Sequence, residues 1–243
     1  MKASRNFPLT KDGAILTLRL GVPFTTTEMA CEVVAICSEV NSDPEIRVVI
    51  LALAGSSSVE VPGSDPQAAV TIIDSVARIA KPVICIMDGD AVGVGLELAL
   101  ACDFRIACET SVFAMPQVRT GGIPYAGGTQ RLPRLIGRAK ALEMLLTGTA
   151  IEAEEACRIG LVHQIVADAD LATAAGDLAK DMAAAAPLSM RLAKEAIHAG
   201  MDMTLEQGLR LELDLYLLLF STHDRREGIM AFREKRNPSF TGS

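Results

Sequence analysis

The chain reads as an α/β fold, a largely parallel sheet flanked by helices that gives way to a helical tail. Three observations predict it. The runs 47–53 and 83–87 are apolar almost throughout, as strands buried on both faces are. Helical stretches alternate with these runs at the spacing of parallel strands joined by crossover helices. From Gly127 onward the pattern is almost entirely helical.

The elements follow in order. Residues 14–20 alternate apolar and polar and predict a strand, broken by Gly21-Val22-Pro23. Thr25 and Glu28 have the spacing of a capping box. Met29, Val33, Ile36, Cys37 and Val40 then share one helical face. Asn41 to Pro44 ends that helix, and 47–53 is a buried strand. Residues 54–65 are a Gly/Ser/Pro loop, and 66–80 a helix stopped before Lys81-Pro82. Strands follow at 83–87, 103–107 and 112–114. The helices 132–135, 139–146 and 152–159 come next, the last closed by Gly160. A short strand at 162–166 precedes helices 171–185, 188–199, 205–220 and 225–235. Leu211, Leu215, Leu218 and Leu219 form a stripe that serves either core or interface.

Composition narrows the function classes. The 243 residues are 50% hydrophobic with a net charge of −7. That balance gives no electrostatic case for nucleic acid. An acidic protein can still hold an anionic ligand on a local basic patch. The six cysteines form no CxxC pair and read as reduced core residues, so neither a disulfide framework nor a metal is expected. Residues 1–5 lead into no signal h-region, so no signal sequence is expected, and no run approaches the ~18 apolar residues of a membrane span. A cytoplasmic protein is expected. His163, His198 and His223 are scattered without a G-x-S-x-G elbow, which argues against a serine hydrolase. Gly93-Val94-Gly95 lacks the third glycine of a dinucleotide fingerprint.

The chemistry concentrates in residues 89–134. Asp88-Gly89-Asp90 predicts a turn, and Gly93-Val94-Gly95 opens a helix. A helix N-terminus offers free N–H groups and partial positive charge to an anion. Glu97 lies in its first turn. By residue type alone it is either a proton-transfer group or a simple complement to the helix dipole. Arg131, Arg134 and Arg138 form a basic face that reads as solvated or ion-paired.

Residues 91–103, A-V-G-V-G-L-E-L-A-L-A-C-D, resemble the A-x-G-G-G-C-E-L-A-x-A-C-D signature of the enoyl-CoA hydratase/isomerase (crotonase) family. Residues 113–132, F-A-M-P-Q-V-R-T-G-G-I-P-Y-A-G-G-T-Q-R-L, resemble its F-x-x-P-E-x-x-x-G-I-x-P-G-A-G-G-T-Q-R-L. The likeness continues through 138–148, 155–162 and 186–197. It implies a spiral of ββα units over 1–186 and a helical oligomerisation region over 187–243. It also implies a homotrimer or homohexamer, an acyl-CoA substrate, and no permanently bound cofactor beyond the coenzyme A of that substrate.

The resemblance assigns roles residue by residue. Two backbone N–H groups stabilise a thioester enolate, each donor typically contributing ~2.7–4 kcal/mol. They match Val94 and Ser64, the latter within a stretch that otherwise reads as a plain surface turn. Pro62 and Asp65 flank Ser64 on the CoA side. Of the two glutamates usual in hydratases, one matches Glu97. The other position holds Gln117, which can hydrogen-bond but not exchange a proton at neutral pH. A glycine facing the acyl pocket is replaced by Tyr125, with Gly122 nearby. Phe232 and Lys235 match an F-x-x-K-R pattern that reaches CoA on a neighbouring subunit; otherwise they are a solvated helix end. The N-R-P-x-x-x-N-A-L pattern near the start is reduced to residues 19–25, and 65–81 is shorter than usual.

Three outcomes stay open on the sequence. Glu97 alone hydrates a 2-enoyl-CoA while Gln117 orients the water. Tyr125 or Glu97 serves another enolate reaction, such as isomerisation, decarboxylation or C–C cleavage. Or the chain binds an acyl-CoA without turnover.

Overall fold

The computed structural model describes residues 7–21, 26–54 and 65–243. Among them, β1 (Leu9–Asp12) and β2 (Ile15–Gly21) form a hairpin turned at Gly13, which has φ +54°. The helix α1 (Thr27–Ser42) leads to β3 (Val48–Ala54), and α2 (Pro66–Ala77) leads to β4 (Val83–Met87). Then follow β5 (Ala91–Val92), α3 (Val94–Leu100), β6 (Phe104–Cys108) and β7 (Val112–Ala114). A 3₁₀ turn at Pro116–Thr120 precedes α4 (Gly128–Ile136) and α5 (Arg138–Thr147). The elements β8 (Ile151–Glu152), α6 (Ala153–Arg158), β9 (Gln164–Val166) and α7 (Leu171–Ala183) come next. The chain continues through α8 (Pro187–Gly200), α9 (Leu205–Leu218) and α10 (His223–Glu234).

The strands order β1-β2-β3-β4-β6-β9 in one sheet and β5-β7-β8 in a second. From β2 to β9 the first sheet is parallel, as the crossover spacing predicts. Side chains of β3 alternate between two cores. Val49, Leu51 and Leu53 join the cluster beneath α1, α2 and α3, while Val48, Ile50 and Ala52 pack with α7 through Leu171, Ala175 and Ala179. A sheet covered on both faces needs strands apolar on both faces, which is why 47–53 carries so few polar residues.

Several boundaries differ from the sequence reading. Thr26 rather than Thr25 caps α1, its Oγ1 accepting from the Met29 N–H; Thr25 lies outside the described residues. The helix α2 stops at Ala77 because Asn41 takes over the following turn. Its side chain accepts from the Ala80 N–H and donates to the Arg78 carbonyl. Strands β1, β5 and β8 were not expected, since two to four residues carry no readable period. Cys31 is exposed and Cys157 half-buried, so not every cysteine is a core residue. On α9 only Leu215 is buried, while Leu218 is 60% exposed. The outward stripe is instead Leu205, Leu209, Leu213 and Leu217. No helix among the described residues is long and apolar enough to cross a membrane.

The position of α3 is fixed at its C-terminal end. The Arg105 guanidinium is buried and donates to the carbonyls of Ala99, Cys102 and Leu161. It thus caps the negative end of the helix. Next to it, Asp103 bonds the Val83 N–H and pairs with Lys194 at 2.6 Å and His198 at 3.2 Å, both from α8. With its far end anchored, α3 presents its near end at a defined place.

Candidate active site

The site begins at Gly93, whose N–H donates to the Ala114 carbonyl at 2.9 Å. Gly93 has φ 58° and ψ −122°, a conformation suited to glycine and strained for other residues. It turns the chain from β5 into α3 in one step. Val94 becomes the first helical residue, with no carbonyl one turn back to take its N–H. The positive φ sits on Gly93, and among described non-glycine residues only Lys235 has one. Valine at 94 therefore costs no backbone strain, although the resembling signature has glycine there.

One turn on, Glu97 is fully buried. Its Oε1 accepts from the N–H groups of Ala126 at 2.7 Å and Gly128 at 2.8 Å. A Cβ on Gly128 would lie 2.8 Å from the Pro124 Cβ and 3.1 Å from Glu97 Oε1, so this approach requires glycine. The second oxygen, Oε2, is buried without a hydrogen-bond partner. Burial pushes the carboxyl above the usual glutamate range. The N–H groups of Gly128, Ala126 and Tyr125 and the Arg131 charge oppose that rise. A residue that only complemented its own helix dipole would not need donors from another segment. A carboxylate with one oxygen tethered and the other open is suited to moving a proton.

Gln117 lies on the 3₁₀ turn after β7 and is fully buried. Its carbonyl accepts from the Gly122 N–H and the Thr120 hydroxyl, both at 2.9 Å, and Gly121 closes the turn at φ 82°. Neither polar atom of its side chain has a partner. Among the described residues, four buried side-chain polar atoms lack partners: Glu97 Oε2, both of Gln117, and Ser111 Oγ. Leaving such an atom unpaired costs about 1–3 kcal/mol. Three of the four belong to the two residues that the motif selects for catalysis. Nothing in the structure explains Ser111.

The other expected residues fare differently. Gly122 closes the Gln117 turn. Tyr125 is half-buried against the core and lines a groove of about 1050 Å³ with Leu100, Leu135, Met190 and Lys194. Neither Glu97 nor Gln117 lines that groove. Asp65 is the N-cap of α2, one oxygen accepting from the Gln67 N–H and the other from the Thr27 hydroxyl. Its carboxylate is engaged in holding the fold. Pro62 and Ser64 lie outside the described residues. Phe232 is 86% exposed and Lys235 ends α10 at the surface, neither against the buried site.

Sequence reasoning missed Ala126 and Gly128, the donors that grip Glu97. The signal was the paired glycines 127 and 128, which permit a close backbone approach. Cysteine nucleophiles are disfavoured in the core, where burial pushes the Cys37 thiol up to about 12. Among the described residues no group of three His, Cys, Asp or Glu is placed to hold a metal.

Comparison with known proteins sets this geometry in context. A family model described as enoyl-CoA hydratase/isomerase matches residues 25–243. An (E)-benzylidenesuccinyl-CoA hydratase of Thauera aromatica is 40% identical over 229 residues, 89% of this chain and 90% of that protein. The crystal structure of an enoyl-CoA hydratase from Bacillus anthracis matches with a TM-score of 0.92 at 34% identity, covering 98% of this chain and 100% of that one. An enoyl-CoA hydratase from Mycobacterium marinum matches at 0.89 and 28% identity, covering 99% and 100%.

Proposed function

This chain belongs to the enoyl-CoA hydratase/isomerase family and shares its acyl-CoA hydratase-type function, and we propose that it hydrates a 2-enoyl-CoA with Glu97 as its single catalytic carboxylate. The observation that carries this reading is the pattern of unpartnered atoms. Glu97 Oε2 and the Gln117 amide are buried, polar and free of protein partners.

Ionised Glu97 takes a proton from water through Oε2. The water oxygen bonds to C3 of the enoyl group, and the double-bond electrons move onto the thioester oxygen. The N–H groups of Val94 and Ser64 hold the resulting enolate. Glu97 then returns its proton to C2, and the carbonyl re-forms. Hydrogen and hydroxyl add to the same face, so one carboxylate suffices for both transfers. Gln117 accepts from and donates to the attacking water but moves no proton. General acid–base catalysis is worth ~10²–10⁴-fold, so losing a second carboxylate slows such a reaction without ending it.

Tyr125 and Gly122 shape the acyl end in this reading, and Pro62, Asp65, Phe232 and Lys235 serve CoA. Phe232 and Lys235 are exposed, as residues reaching a neighbour's cofactor need to be. The outward leucines of α9 support assembly of 187–243 into a homotrimer or homohexamer; a cytoplasmic location is part of the same reading.

The test is loss of the conjugated thioester absorbance on mixing the protein with 2-enoyl-CoA esters of several chain lengths, including aromatic acyl groups. Bleaching with formation of a 3-hydroxyacyl-CoA supports hydration. Tight binding with no bleaching across the series overturns it in favour of a binding protein. Gln117 keeps a second reading open, a different enolate reaction, which product analysis by mass would reveal.

A further inference from the structure

The turn 125–128 does two jobs at Ala126. Its N–H grips Glu97, and its carbonyl accepts from Arg131 Nη1 at 2.9 Å. Between the two gripping donors lies Gly127, at φ +111°. Arg131 covers it so closely that a Cβ there would meet the guanidinium at 2.1 Å. The Arg131 N–H also closes onto the Gly127 carbonyl at 2.7 Å. On its far side the guanidinium faces Asp74 of α2 at 3.7 Å. Its side chain is only 29% exposed. A single arginine therefore lies over the turn that carries both donors and ties it to α2.

We propose that Arg131 is a positioning residue, locking turn 125–128 so that Ala126 and Gly128 hold Glu97 with its second oxygen toward the reaction. The proposal rests on Glu97 being the acid–base group. It adds a residue that acts through the turn holding Glu97 rather than on the reacting atoms. The charge matters as well as the contact. Burial raises the proton affinity of Glu97, and the Arg131 cation opposes that rise. The charged groups disposed about Glu97 are Arg131 from α4 and, behind it, Asp74 from α2; Gln117, from the 3₁₀ turn, is neutral.

The experiment compares the wild type with Arg131→Met, which removes charge and donors, and Arg131→Lys, which keeps the charge. The Glu97 carboxyl is titrated by carbon NMR of glutamate-labelled protein and assigned by its absence in Glu97→Gln. The titration midpoint is expected to rise in Arg131→Met and to stay nearer the wild type in Arg131→Lys. With a 2-enoyl-CoA, Arg131→Met is expected to lower kcat by about 10²-fold, the scale of a 1 Å misplacement, with KM little changed. The acid limb of its pH profile should move to higher pH. An unchanged midpoint in a folded Arg131→Met protein overturns the proposal. If that variant does not fold, a wild-type kcat and pH profile in Arg131→Gln does the same. The titration needs no turnover, so failure of the wild type to hydrate any enoyl-CoA is a separate result that sinks the catalytic reading instead.

Discussion

The two ends of α3 treat buried charge in opposite ways. At the C-terminal end, Arg105 finds three carbonyls, and Asp103 finds Lys194, His198 and the Val83 N–H. At the N-terminal end, Glu97 has one oxygen held and one open; the Gln117 amide, on the turn after β7, likewise has no partner. Arg105 is buried nearly as deeply as Glu97, while Asp103 and Lys194 are only part-buried. The difference is completion: a structural charge network closes on itself, whereas the open valences at the other end are what the proposed reaction site would need for its ligand. Burial alone would not have separated the two.

The contrast can be broken by mutation, and the largest effect belongs at the open end. Glu97→Gln should lower kcat for a 2-enoyl-CoA by about 10⁴-fold, or about 5.5 kcal/mol, with CoA-ester affinity within a few-fold. Steady-state kinetics and calorimetric binding check it. At the closed end, Asp103→Ala leaves the part-buried Lys194 without its anion. Denaturant unfolding should show a loss of about 3 kcal/mol, with activity per folded molecule preserved. A comparable loss of turnover there would merge the two ends into one functional unit.

Gly128→Ala probes the join between turn and carboxylate. The added methyl meets Pro124 and Glu97, so kcat should fall by about 10²-fold as Glu97 is displaced. Wild-type kinetics in this variant would show that the grip on Glu97 is dispensable.

The smallest effect is in pH dependence. Burial raises the Glu97 carboxyl above its unfolded value, so the folded state holds the proton more tightly. Its contribution to stability is fully present below the unfolded pKa of ~4.3 and is lost as pH rises through the folded value. Glu97→Gln removes that dependence. Its Tm relative to the wild type should therefore improve from pH 4 toward pH 7, and a gap constant with pH would contradict the account.

Much of this was legible in the residues. The parallel sheet followed from apolar strands and helical spacing, and Glu97 and Gln117 followed from motif positions. Short strands such as β5 escaped because pairing, not period, creates them. The grip of Ala126 and Gly128 on Glu97 escaped because it joins segments about thirty residues apart through backbone donors, which carry no side-chain signature. Asp65 was matched to the CoA side by motif position; that it also caps α2 was not read from the sequence. The α9 stripe was left open between core and interface because leucines stand on both faces of the helix; packing buries Leu215 and leaves Leu218 exposed.

The most direct test of the central claim is a stopped-flow comparison of the wild type and Glu97→Gln, each saturated with the same 2-enoyl-CoA. The account predicts rapid loss of the conjugated absorbance in the wild type and a stable bound enoyl ester in the variant. Equal rates in the two proteins would contradict it.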